Sequence, residues 1–236
     1  MKLSPRLNSI ANRVPPGLVV VDIGTDHAHL PIHLVRSGQT PYAIGIEVAD
    51  HPLASARRRV EQAALQHRIS LRKGWGLEAL KPGEAEVAVL AGMGGNTIIE
   101  ILERNQPVLD RLKFLILQPM KQLAEVRCWL NRHRWILLEE DLVQEGPHLY
   151  TVMLAVPAIT TPDGDPPLPS DLELEIGPLL LKHRHPLLKT YLRQLILRQE
   201  KIASQMRGSR RSEIKAKEAA VFNRLRRLKE LEQELG

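Results

Sequence analysis

One cysteine, Cys128, stands alone in 236 residues, so no internal disulfide can form. No uninterrupted apolar run approaches the ~20 residues that a bilayer-spanning helix needs. The first residues, Met1-Lys2-Leu3-Ser4-Pro5-Arg6, lead into no apolar stretch that would serve as a secretory signal. These absences point to a reducing, cytoplasmic setting with no membrane contact. G-x-G-x-x-G is also missing, which weakens any reading as a pyrophosphate-binding dinucleotide site. Nothing in the sequence calls for an obligate protein partner.

Hydrophobic residues make up 43% of the chain, enough to build a buried core. The length suits one α/β domain with an appendage. Charge is divided unevenly. Residues 1–181 hold 18 Lys/Arg and 21 Asp/Glu, a net of −3, while residues 182–236 hold 15 and 6, a net of +9. Positive charge segregated into a tail suggests a polyanionic partner; a solvated helical surface is the plainer alternative.

Strand-like and helix-like segments alternate over residues 18–156. Leu18–Ile23, Ala43–Glu47 and Val87–Ala91 are near-continuous apolar runs, as strands buried on both faces should be. Ile69–Lys73 alternates and suits a strand nearer an edge. Phe114–Gln118 follows as a fifth strand. Helical patterns fall at about 51–66, 95–104 and 121–133. Such alternation predicts a doubly wound parallel sheet. Trp135–Glu139 and Tyr150–Val156 are separated by Gln144-Glu145-Gly146-Pro147, with no room for a helix, and read as a closing antiparallel hairpin. Five prolines between Pro157 and Ser170 mark a connector. Beyond it, Leu188, Leu192, Leu195, Ile196, Ile202 and Met206 make one helical stripe. A turn at Gly208-Ser209 leads to a second stripe of Ile214, Val221, Leu225, Leu228, Leu231 and Leu235. Two stripes joined by a turn predict a coiled-coil-like α-helical hairpin. The expected divisions are a domain over 1–156, a linker over 157–170 and a basic helical extension over 171–236.

Chemistry-bearing residues gather where strands end. Asp22-Ile23-Gly24-Thr25-Asp26-His27 follows the first strand, and ligands of open α/β sheets bind at the carboxyl ends of strands. Gly24 permits a tight turn there. Glu47 ends the second strand, where one carboxylate can accept both hydroxyls of a ribose; an ordinary strand-end acid is the alternative. Ala91-Gly92-Met93-Gly94-Gly95 puts three glycines within four residues, more than a simple turn needs. Gln118 offers a donor and an acceptor at the end of the fifth strand. His27, His29 and His33 have a spacing that a metal could use, but no further Cys or carboxylate completes a ligand set, and no metal is expected. Cys128 reads as a half-buried helix residue.

Taken together these segments resemble the TrmK family of bacterial tRNA (adenine-22 N1)-methyltransferases. The resemblance begins at Leu3-Ser4-Pro5-Arg6-Leu7. It continues through Asp22-Ile23-Gly24-Thr25-Asp26-His27-Ala28-His29-Leu30-Pro31, Gly45-Ile46-Glu47, Ala91-Gly92-Met93-Gly94-Gly95, Leu115-Ile116-Leu117-Gln118-Pro119 and Val126-Arg127-Cys128-Trp129-Leu130. It implies an α/β Rossmann-like methyltransferase sheet, S-adenosyl-L-methionine (AdoMet) as methyl donor and tRNA as substrate. The absence of Asn-Pro-Pro-Tyr and Asp-Pro-Pro-Tyr, which hold exocyclic amines in amino-methylating enzymes, favours a ring nitrogen, oxygen or carbon as target. The cofactor contacts expected from the resemblance are Asp22, Gly24, Thr25, Glu47, Gly74, Trp75, Gly76, Leu77, Ala91, Gly92, Met93, Gly94 and Gln118. Asp26 is the first candidate for the catalytic group and His27 the second.

Three positions depart from the family pattern. Trp75 replaces an acidic residue in Gly-Asp-Gly-Leu, Met120 replaces Asn after Gln118-Pro119, and His29 replaces Tyr. An indole N–H only donates, so Trp75 cannot accept from the adenine amino group as a carboxylate would; it can cover the ring face instead. These departures leave two alternatives in view: a shifted RNA target, or a nonenzymatic RNA-binding protein that retains the fold. A nicotinamide-dependent oxidoreductase is disfavoured by the hairpin ending and the missing glycine fingerprint.

Overall fold

The apolar runs assemble into one seven-stranded sheet. The strands are β1 (Val20–Ile23), β2 (Ala43–Glu47), β3 (Ile69–Lys73), β4 (Val87–Met93), β5 (Phe114–Pro119), β6 (Trp135–Glu145) and β7 (His148–Pro157). Their spatial order is β3-β2-β1-β4-β5-β7-β6. The first five run parallel, and β7 enters antiparallel between β5 and β6. The structure is a computed structural model that describes residues 3–158, 169–206 and 212–235.

Strand periodicity divides the core between two faces. Val20, Val87, Val89, Ile116, Val152 and Leu154 pack with Ile10, Ala11, Leu30 and Leu34. These last four lie on α1 (Pro5–Asn12) and α2 (His29–Arg36). Their strand neighbours Val21, Ile23, Ala88, Leu90, Leu115 and Leu117 point the other way. There they meet α4 (Gly95–Glu103), α5 (Gln106–Leu109) and α6 (Leu123–Arg132). α3 (Asp50–Gln62) adds Ala56 and Val60 to a cluster shared with α2. One buried ion pair ties α6 to β6: Arg127 Nε donates to Glu140 Oε1 at 2.6 Å, with side chains 1% and 0% exposed.

The sequence pattern and the structure differ at several edges. α1 was not expected, although Ser4 caps it by accepting from the Leu7 N–H and Pro5 opens its first turn, a standard start signal. The hairpin strands run longer than the apolar pattern, because β6, at the sheet edge, can pair its backbone with β7 while presenting polar side chains. β3 sits at the other edge, in line with its alternation.

The chain divides into two compact units, residues 1–168 and 169–236. In the second, α7 (Asp171–Ile176) and α8 (Pro178–Lys182) precede a helix pair, α9 (Leu188–Met206) and α10 (Ser212–Glu234). Arg193 with Glu232 (2.7 Å) and Lys229 with Glu200 (2.6 Å) link the pair in antiparallel register. Leu188, Leu192, Leu195 and Ile196 are buried as expected, but Ile202 is exposed. The buried seam passes instead through Gln199 and Ala203, at steps of 4, 3, 4 and 4 from Leu188, so the last step departs from the heptad alternation that would have reached Ile202. On α10, Leu228 is fully buried and Val221, Leu225 and Leu231 are half-buried. The expected turn at Gly208-Ser209 and most of the 157–170 connector lie outside the described residues. Among the described residues, no helix is long and apolar enough to cross a membrane.

Candidate active site

The chain runs outward from β1 to β2 and β3, then returns to β4 on the other side of β1. A crevice must open where neighbouring connections leave in opposite directions, at the carboxyl ends of β1 and β4. A cavity of about 240 Å³ lies there, lined by Arg6, Leu7, Asp22, Gly24, Thr25, Asp26, His27, His29, Leu30, Ala91 and Gly92.

Two glycines form its floor. Gly24 has φ +73° and Gly92 φ +77°. A Cβ on Gly24 would stand 3.2 Å from Met93 Cε, and one on Gly92 would stand 3.3 Å from Arg6 Nη1. Any side chain at either position would be strained and crowded into the crevice. The β1–α2 loop also places two non-glycine residues in the left-handed region, Asp26 (φ +48°) and Ala28 (φ +55°). Such conformations cost about 1–3 kcal/mol each for ordinary residues and cluster at functional sites.

The carboxylates differ in character. Asp22 is 7% exposed, and burial pushes its pKa up to about 6 against the lowering hydrogen bond from Thr25, with nearby Glu47 adding to the rise. Thr25 Oγ1 donates to Asp22 Oδ2 at 2.7 Å. Glu47 is held by backbone: Oε1 accepts the N–H groups of Val48 (2.9 Å) and Ala49 (3.0 Å), and Oε2 accepts that of Asp26 (3.3 Å). Asp26 is open to solvent, its side chain 62% exposed, with Oδ1 3.6 Å from His27 Nε2. His29 stands edge-on to His27 at 5.7 Å between ring centroids. Burial lowers the His29 pKa below the ordinary imidazole value; Arg59 and His27 lower it further, and Asp26 opposes them.

Gln118 is fully buried. Its Oε1 accepts from Arg6 Nη1 (2.7 Å) and the Gly92 N–H (3.1 Å), while Nε2 donates to the Pro119 carbonyl (3.2 Å). It shapes the crevice by holding Gly92 and Arg6. Arg6 itself lies 5.4 Å from the Tyr150 ring centroid, and its N–H donates to Glu145 Oε2 at 3.0 Å.

Of the expected contacts, the cavity wall brings together Asp22, Gly24, Thr25, Asp26, His27, Ala91 and Gly92. Glu47 joins them through the Asp26 backbone. Gly74, Trp75, Gly76 and Leu77 lie apart, after β3. The Gly74 N–H donates to the Glu47 carbonyl at 3.2 Å, Leu77 is fully buried, and a Cβ on Gly76 would sit 2.5 Å from Ile101 Cγ2. The Trp75 ring packs against the core under Arg104, and its buried indole N–H has no partner among the described residues. Met93 also packs against the core, Gly94 caps α4, and Met120 is 51% exposed at the end of β5. Arg6, Leu7 and Leu30 are wall residues outside the expected set; for Arg6 and Leu7 the Ser4-Pro5 helix start was the available signal.

A family model described as TrmK, tRNA (adenine(22)-N(1))-methyltransferase, matches residues 20–230. The chain belongs to the TrmK family. A Bacillus subtilis tRNA (adenine(22)-N(1))-methyltransferase is 42% identical over 155 residues, 66% of this chain. That match spans 65% of the relative, a little under two thirds of its length. The crystal structure of the B. subtilis M1A22 tRNA methyltransferase TrmK superposes with a TM-score of 0.86 at 34% identity, covering 98% of both chains. A Streptococcus pneumoniae candidate tRNA (m1A22) methyltransferase, solved in complex with S-adenosyl-L-methionine, gives 0.85 at 28% identity, covering 98% of this chain and 99% of that one. TrmK membership and a sheet with an antiparallel seventh strand agree with the Rossmann-like methyltransferase fold expected from the sequence.

Proposed function

We propose that this TrmK-family chain transfers the methyl group of AdoMet to N1 of an adenine in tRNA, at position 22, in the cytoplasm. The observation that carries the reading is the crevice at the switch point, where an open carboxylate, Asp26, stands beside a glycine floor. The residues present fit AdoMet. Asp22 is a buried carboxylate suited to an ammonium group, Glu47 keeps lone pairs for ribose hydroxyls, and Gly24 and Gly92 leave backbone clear for close approach. Gly74 to Leu77 would face the adenine end, and Met93 and Gly94 the methyl-bearing end.

AdoMet brings its own electrophile, a sulfonium methyl, so the protein's work is alignment and exclusion of water. The target base must leave its stack or pair to enter the crevice, at a cost of a few kcal/mol. Methylation at N1 makes the ring cationic. Asp26 stabilises that growing charge or accepts the proton that N6 loses, and His27 supports it. Residues 1–156 form the catalytic domain in this reading. Residues 171–236, joined through 157–170, form a basic extension that grips tRNA by phosphate contacts and shape.

The test is mass spectrometry of nucleosides from unmodified tRNA incubated with the protein and AdoMet. N1-methyladenosine at position 22 is the expected product. AdoMet binding with no methylated nucleoside would leave the nonenzymatic RNA-binding reading, and a different modified base would mark a shifted target.

A further inference from the structure

His27 is bonded on one side of its ring and faces a carboxylate on the other. Nε2 faces Asp26 Oδ1 at 3.6 Å, and Nδ1 lies 2.8 Å from Ser55 Oγ. Ser55 belongs to α3, so the contact joins the β1–α2 loop to the helix after the next strand, 28 residues away in sequence. A neutral imidazole carries one N–H and one lone pair. A carboxylate only accepts, so the N–H must sit at Nε2 to meet Asp26. Nδ1 then presents its lone pair, and a serine hydroxyl is the group that can donate to it. The opposite tautomer would turn a lone pair toward the Asp26 charge.

We propose that Ser55 is a positioning residue for methyl transfer: its hydroxyl holds His27 in the Nε2–H tautomer, aimed at Asp26. Asp26 needs this support because it is solvent-exposed and sits on a left-handed turn. The 3.6 Å separation is longer than a hydrogen bond, and such contacts tighten when a substrate closes the site. With one oxygen engaged by His27, the other oxygen is left for the amino group of the target adenine. The groups around His27 are Asp26 from its own loop, His29 from α2 and Ser55 from α3, with Arg59 of α3 acting on His29 and Glu47 reaching the Asp26 backbone from β2. None but Ser55 bonds to Nδ1 among the described residues.

The inference rests on the reading of Asp26 as the catalytic carboxylate, and two measurements separate their failures. The first is nitrogen-15 NMR of the His27 ring in the full chain, well above the imidazole pKa and without tRNA. Wild type should show the Nε2–H tautomer alone, Ser55→Ala a mixture, and Ser55→Thr the wild-type pattern. The second is steady-state kinetics. Ser55→Ala should lower kcat about fivefold to tenfold, the worth of one lost hydrogen bond, with KM for tRNA and AdoMet affinity within about twofold. Ser55→Thr should restore kcat. An unchanged tautomer in Ser55→Ala, or a changed tautomer with unchanged kcat, overturns the role of Ser55. A changed tautomer and lowered kcat, together with normal turnover in Asp26→Asn, overturns the assignment of Asp26 and leaves Ser55 acting through His27 alone.

Discussion

At the scale of single residues, two aspartates four positions apart, Asp22 in β1 and Asp26 in the loop after it, have opposite environments and should respond to different experiments. Asp26 stands where charge develops. Asp26→Asn should bind AdoMet within about tenfold of wild type yet lose on the order of 10²-fold in single-turnover methyl transfer. Near-normal turnover would remove Asp26 from catalysis. Asp22 is buried, and its pKa is raised from 3.8 to about 6. The folded ligand-free chain therefore binds this proton more tightly than the unfolded chain. The associated stability is fully present below 3.8 and is lost as pH rises through about 6, an amount on the order of 3 kcal/mol. A bound ammonium favours the ionised form, so AdoMet should bind more weakly as pH falls from about 7 to about 5, approaching tenfold per unit below the folded pKa. Calorimetry across that range, in buffers of different ionisation heat, should detect proton release on binding. An affinity independent of pH would separate Asp22 from the cofactor ammonium. Trp75 shows why a motif position does not fix a side chain's direction. The flanking glycines match the family's, yet the ring turns against the core beneath Arg104, and its indole N–H finds no acceptor among the described residues.

At the scale of elements, the most consequential polar contact is the Arg127–Glu140 pair between α6 and β6. Both side chains are essentially out of water, so removing one takes a buried ion-pair partner from the other. Arg127→Met should cost about 3–5 kcal/mol in denaturant unfolding, because the buried Glu140 loses this ion pair. Replacing both with apolar residues of similar volume should recover most of the loss. If the double variant is no more stable than the single one, the pair contributes through other contacts of these residues. Long apolar strands were legible in the sequence because a strand buried on both faces has no polar alternation to blur it. α1 was not, since eight residues make too short a window for helical periodicity to stand out. The lower half of the α9 seam was misread for a related reason. Ile202 is apolar but one step off the seam, and Gln199 and Ala203 fill the buried positions.

At the scale of the whole molecule, charge and chemistry occupy different stretches of chain. Residues 1–181 carry −3 and residues 182–236 carry +9. Removing residues 171–236 should leave AdoMet affinity within about threefold, since every cavity-lining residue precedes the cut. It should weaken tRNA binding and flatten the slope of log affinity against log salt by about two or more, as phosphate contacts are lost. An unchanged slope would place the RNA grip in residues 1–170. The sequence by itself determined the strand and helix alternation, the closing hairpin, the acidic and glycine-bearing strand ends, and the basic tail. Each of these is local in the chain: periodicity, turn chemistry and composition are complete within a window of residues. Only the tertiary structure decided that Arg6 forms a wall of the crevice, that Gln118 is spent holding Arg6 and Gly92, and that Ser55 meets His27 across 28 residues. Those contacts join distant segments through the order in which strands are laid side by side, and side-chain direction at such a junction follows from packing, which no local pattern encodes.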